Sequence, residues 1–181
     1  METPMIKTKR LLLRPATQGD LPFVLNLFSR SETNRYSAYA DISTPEEAKR
    51  LFDAFLAPGS PTHFRLIADL RGTGEAIGTL GLHSYSETNR RAELGYDLLR
   101  EHWGKGYTTE AVEGLLRYAF EELKLNRVEA TTDPENAASV RVLEKTGFTR
   151  EGVLRQRHYY KGGYHDDAFY GLLASDWSQK R

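Results

Sequence analysis

The stretch from Ala92 to Lys124 constrains the fold more than any other part of the chain. Ala92, Leu94, Tyr96 and Leu98 alternate with Glu93, Gly95 and Asp97, the two-residue period of a strand with one apolar face. Trp103-Gly104-Lys105-Gly106-Tyr107-Thr108 follows directly. From Thr108 to Lys124 the apolar residues Val112, Leu115, Leu116, Ala119, Phe120 and Leu123 then recur at helical spacing. Glycines at 104 and 106 permit a tight turn and let a ligand approach main-chain N–H groups. The helix behind them adds unsatisfied N–H donors and the positive end of its dipole. Such a junction is either a phosphate or pyrophosphate cradle or a plain connecting turn. It is not a P-loop, because no Gly-x-x-x-x-Gly-Lys-Ser/Thr occurs, and Thr109 stands where a dinucleotide fingerprint has its third glycine.

The flanking segments fill out an α/β order. Leu11, Leu12 and Leu13, ended by Pro15, predict a first strand over 10–16. Asp20 is positioned to cap a helix carrying Pro22 in its first turn, and Pro45 with Glu46 and Glu47 predicts a second helix from Ser43 or Thr44. Strands are expected over 64–69, 76–83 and 92–99, then 127–132 after the long helix. A helix over 136–145 ends at Gly147, and strands over 149–159 and 164–174 hinge at Lys161-Gly162-Gly163. The expectation is one domain over 1–181: a mixed, mostly antiparallel twisted sheet of about seven strands flanked by four helices.

Composition narrows the chemistry. At 181 residues, 39% apolar and 28% charged, the chain can bury a core and is not of disordered type. Lys plus Arg and Asp plus Glu both number 25, so no global charge argues for nucleic acid or an anionic membrane as a partner. The absence of cysteine excludes disulfides, a thiol nucleophile and thiolate metal sites. No histidine pair has metal-ligand spacing, so no metal is expected. The first ten residues lack the apolar run of a signal peptide, and no segment reaches membrane-spanning length, so a cytoplasmic protein is expected.

Several motifs in order resemble the Gcn5-related N-acetyltransferase (GNAT) superfamily, and within it the RimJ/RimL-like branch that acts on ribosomal proteins and small amines. They are Ala92-Glu93-Leu94-Gly95-Tyr96, Trp103 to Ala111, Asn136-Ala137-Ala138-Ser139, Glu144 to Phe148 and Gly163-Tyr164-His165-Asp166. The resemblance implies acetyl-CoA as co-substrate, with its pantetheine arm between the strand before the loop and a neighbour that splays from it. It implies pantetheine contacts from the main chain of Leu98 and Leu99 and from Asn136, and a pyrophosphate seat on Trp103, Gly104, Lys105, Gly106, Tyr107 and Thr108. The family's loop pattern of Gln/Arg-x-x-Gly-x-Gly/Ala falls on Trp103, Gly106 and Thr108, so two of the three positions depart from it. Pairing of two copies through the last strands is also implied.

Amine attack on a thioester needs a base for the ammonium, stabilisation of the oxyanion and release of the thiolate. With no cysteine, direct attack in a ternary complex is the simplest scheme. Glu93 lies on the non-apolar strand face and is the candidate base; the plainer alternative is a surface carboxylate bonded to Arg90 or Arg91. The tyrosine that protonates the thiolate in many family members falls here on Leu143. The branch resemblance assigns that role instead to Ser139, which could equally bond its own helix backbone. Tyr36, Tyr39, His165 and Asp166 are candidates for the acceptor end. A protein N-terminal amine, with a reference pKa near ~8, needs less help than a lysine or polyamine near ~10.4 and is the favoured acceptor; a polyamine or other small amine is the alternative. A CoA-binding sensor without turnover is the reading from a different class.

Overall fold

Eight extended segments pair into one sheet. The computed structural model describes residues 3–37 and 41–179. The strands are β1 (Ile6–Lys7), β2 (Leu11–Pro15), β3 (Phe64–Leu70), β4 (Ala76–Ser86), β5 (Arg91–Leu98), β6 (Arg127–Thr132), β7 (Thr149–Tyr160) and β8 (Gly163–Leu173). They lie in the order β1-β2-β3-β4-β5-β6-β8-β7. All neighbours are antiparallel except β5 and β6. The helices are α1 (Leu21–Phe28), α2 (Pro45–Leu51), α3 (Tyr107–Arg117), α4 (Ala137–Thr146) and α5 (Ala174–Gln179).

The expected class holds, with eight strands rather than seven and five helices rather than four among the described residues. The added strand, β1, is two residues long, too short for any period to reveal. The added helix, α5, begins at Ala174, the last residue of the expected final strand, and runs beyond it. Thr44 caps α2 as the sequence suggests, accepting the Glu47 N–H at 3.2 Å while the Glu47 carboxylate takes the Thr44 N–H at 3.0 Å. Asp20 stands at the N-cap of α1, but its side chain makes no capping bond there. Its carboxylate instead accepts from the Thr17 N–H at 2.7 Å and from the Arg14 guanidinium at 2.7 and 2.9 Å.

Each sheet face has its own core. On one, α3 and α4 cover Leu11, Leu13, Leu66, Leu80, Leu82, Leu94 and Val128, with Leu115 and Leu116 of α3 fully buried. On the other, Val24, Leu27 and Phe28 of α1 and Ala48 of α2 pack with Phe52 on Ile67 and Leu99. Truncating a buried leucine in either core costs about 2–5 kcal/mol, so both faces contribute to holding the helices on the sheet. Both α2 and α3 end in a single wider turn, over Phe52–Leu56 and Tyr118–Glu122. No helix among the described residues is long and apolar enough to cross a membrane.

Candidate active site

The sheet opens where its single parallel pair ends. β5 and β6 match only at Arg91–Arg127, Ala92–Val128 and Glu93–Glu129. Beyond Glu93, β5 runs on against β4 and β6 runs on against β8, and the two part. This is the splay that the resemblance implied. A cleft of about 1140 Å³ occupies the opening. The Leu99 N–H bonds back to the Ile77 carbonyl at 2.9 Å, so pleat alternation turns the main-chain groups of Leu98 toward the opening. The Leu98 carbonyl there accepts the indole N–H of Trp103 at 2.8 Å. Leu99 itself is buried in the second core and does not line the cleft.

At one end stands the glycine loop. Gly104 and Gly106 adopt φ of +71° and +77°, the left-handed backbone that explains glycine at both positions. Trp103, Gly104, Gly106, Tyr107 and Thr108 line the cleft, whereas Lys105 does not. The loop is moored by residues a hundred positions away. The Arg10 guanidinium donates to Glu110 at 2.6 Å and to the Lys105 carbonyl at 3.0 Å, and lies 4.4 Å over the Tyr107 ring. Glu110 also accepts the Thr8 hydroxyl and the Arg10 N–H, each at 2.6 Å. Burial alone would raise the Glu110 pKa, but these donors outweigh it and hold the carboxyl below its usual range.

Across the opening, Asn136 caps α4: its side-chain oxygen accepts the Ser139 N–H at 3.2 Å. Ser139 also lines the cleft. Its hydroxyl lies 2.8 Å from the Tyr96 hydroxyl of β5 rather than on its own helix backbone. Burial pushes Tyr96 up to about 12, so its phenol stays protonated at neutral pH. Leu143 is 1% exposed and borders the cleft, with no group that could transfer a proton. Sequence reading passed over Tyr96 because alternation puts it on the apolar face with Ala92 and Leu94. The available signal was its hydroxyl, which a buried tyrosine must satisfy.

Glu93 sits where the strands begin to part, on the cleft wall. It accepts the Thr131 hydroxyl at 2.7 Å and faces the His83 imidazole at 3.8 Å. The basic neighbours proposed as alternative partners are engaged elsewhere: Arg91 with Glu129 at 2.5 Å and Arg90 with the Lys124 carbonyl. Burial lowers the His83 pKa and outweighs the opposing pull of Glu93, so His83 is neutral at physiological pH.

At the far end the cleft is lined by some of the expected residues and not by others. Tyr36 lines the cleft, while Tyr39 lies outside the described residues. His165 stacks on Tyr160 at 3.8 Å, with its ring nitrogen 3.5 Å from Asp133, and Asp166 accepts the Gln156 N–H at 2.8 Å across the hairpin; neither lines the cleft. Their neighbour Asp167 does, paired with His158 at 2.6 Å and Arg157 at 3.4 Å. Burial raises the Asp167 pKa even so. Tyr160 donates to Asp133 at 2.9 Å, and Arg65 pairs with Asp97, whose pKa burial also raises. The period of β8 puts Asp167 and Phe169 on the face that lines the cleft and Asp166 on the other.

Comparison with known proteins matches this geometry. Residues 10–149 match the family model of the acetyltransferase (GNAT) domain. The N-acetyltransferase YoaA of Bacillus subtilis is 36% identical over 171 residues, which cover 94% of this chain and 97% of that protein. A GNAT-family acetyltransferase from Bacillus anthracis superposes with a TM-score of 0.85 at 29% identity, covering 95% of this chain and 99% of that one. The spermidine N-acetyltransferase of Vibrio cholerae, solved with CoA and spermine, superposes with a TM-score of 0.83 at 25% identity, covering 93% and 98%. The opened strand pair, the glycine loop on α3 and these likenesses agree: this chain belongs to the GNAT acetyltransferase family and is an acetyl-CoA-dependent N-acetyltransferase.

Proposed function

We propose that the cleft transfers the acetyl group directly to the α-amine at a protein N-terminus. The thioester lies along Leu98, with the pyrophosphate on the Gly104–Thr108 loop and the pantetheine beside Asn136. The amine attacks the carbonyl carbon, Glu93 takes the ammonium proton, the C–S bond breaks and its electron pair leaves on sulfur. Ser139 donates a hydrogen bond to the departing thiolate.

One observation carries the choice of acceptor. Three of the carboxylates that line the cleft, Asp97, Asp133 and Asp167, already have an internal partner in Arg65, Tyr160 and the His158–Arg157 pair. A polycation must compete with those partners for each carboxylate, whereas a single amine followed by a neutral peptide backbone needs none of them. A provisionally named ribosomal N-acetyltransferase of Bacillus subtilis, YdaF, is 39% identical over 128 residues, which is consistent with this reading. A spermidine N(1)-acetyltransferase of Vibrio cholerae, 27% identical over 157 residues, keeps polyamines as the second reading.

The test is thiol release with acetyl-CoA across N-terminal peptides, spermidine and spermine, and aminoglycosides. Peptides are expected to give the highest kcat/KM. A spermidine preference would reassign the acceptor, and acetyl-CoA binding without release from any amine would leave a sensor.

A further inference from the structure

The hydroxyl of Ser139 is placed by a strand on the opposite wall of the cleft. Tyr96 stands in the parted section of β5, three residues past the last β5–β6 match, and reaches across to the first turn of α4. Its hydroxyl is 2.8 Å from the Ser139 hydroxyl and 3.4 Å from the Ser139 carbonyl, so the side chain is the better partner. The Ser139 N–H is already committed to Asn136. Two walls thus fix one serine: a cap from below and a phenol from across.

We propose that Tyr96 is a positioning residue that donates its hydroxyl proton into a hydrogen bond on the Ser139 oxygen, leaving the serine O–H turned toward the thioester sulfur. This rests on the reading of Ser139 as the group that meets the leaving thiolate. A hydroxyl that accepts one strong bond becomes a better donor of its own, because the two bonds polarise one another. No proton leaves Tyr96. The electron pair of the breaking C–S bond ends on sulfur, held by the serine O–H, and the thiolate later takes a proton from solvent. A phenol kept neutral by burial suits a fixed donor and not an acid that ionises in each cycle. It also fits the absence of a tyrosine at Leu143, since the second hydroxyl arrives from β5 instead.

The experiment is a double-mutant cycle of Tyr96→Phe and Ser139→Ala, read by steady-state kinetics with acetyl-CoA and the best amine found. Each single change is expected to lower kcat about ten-fold, with the KM for acetyl-CoA within about two-fold of wild type. The double variant should be no slower than the slower single, because both remove the same donor. Losses that multiply would overturn the proposal, showing that Tyr96 acts independently of the serine. Normal kcat in Tyr96→Phe with a slow Ser139→Ala overturns it while leaving the serine reading intact. Normal kcat in Ser139→Ala removes the serine reading and the relay together. A raised KM with unchanged kcat in Tyr96→Phe would mean a packing role and also overturn it. Should Tyr96→Phe not fold, 3,5-difluorotyrosine at position 96 replaces it. That stronger donor should raise kcat in the Ser139 protein and leave Ser139→Ala unchanged; no rise, or a rise in both, counts against the proposal.

Discussion

At the scale of single residues, the decisive feature of Glu93 is the company it keeps. A surface carboxylate would spend its charge on the nearest arginine; this one has only a threonine hydroxyl and a neutral imidazole beside it. In the proposed mechanism it is this carboxylate, at the point where β5 and β6 part, that has the capacity to take the amine's proton. Glu93→Gln keeps the shape and the Thr131 contact but removes that capacity. Turnover is expected to fall about a hundred-fold, the lower end of what a positioned base contributes. The loss should be largest at low pH, where more of the acceptor is ammonium, while stabilisation by acetyl-CoA stays as in wild type. Equal turnover across the pH range would remove Glu93 from the mechanism.

At the scale of elements, what was readable follows from the range over which each signal acts. Periods of two and 3.6 act within one segment, so β2 to β8 and α1 to α4 were legible, as was the capping box at Thr44 and Glu47. The glycine loop was legible because two left-handed turns demand glycine whatever surrounds them. Pairings between distant residues leave no local trace. Arg10 with Glu110, Tyr96 with Ser139 and Asp167 with His158 become visible only once the sheet brings them together. Asp20 shows the same limit: a helix start is the local reading of an aspartate there, but Arg14, held between Asp20 and Asp69, draws its carboxylate back to β2. Burial would raise the Asp20 pKa, and the Arg14 and Thr17 donors outweigh it and lower it below the ordinary 3.8. The sign follows: its stabilisation is fully present above the unfolded value and is lost as pH falls through the lower folded one. Asp20→Asn is expected to cost about 2 kcal/mol at neutral pH, read from the urea midpoint. The variant should also lose less stability than wild type on acidification below 4. An unchanged midpoint would show that the cluster is worth no more than a surface ion pair.

At the scale of the whole molecule, the cleft is a gap in a sheet, and a gap weakens what it divides. β1 to β5 on one side and β6 to β8 on the other share three register pairs and the helices that cross between them. Beyond that register side chains reach from wall to wall, as where Tyr96 touches the first turn of α4. A ligand that contacts β5, the α3 loop and the α4 cap at once therefore bridges halves that the backbone joins poorly. Binding to the folded state alone contributes about 2.7 kcal/mol at a ligand concentration one hundred times Kd. For a chain of this length that corresponds to a rise in Tm of about 5–10 °C. Thermal unfolding with saturating acetyl-CoA, and separately with CoA, measures this directly. Both should give the rise if, as proposed, the loop, Leu98 and Asn136 contact the part the two molecules share. ATP or NAD should not, since neither carries the pantetheine arm that fills the opening. A rise with ATP equal to that with CoA would mean that the α3 loop alone is the binding site and that the parted strands contribute nothing. No rise with either form of CoA would move the co-substrate out of this cleft altogether.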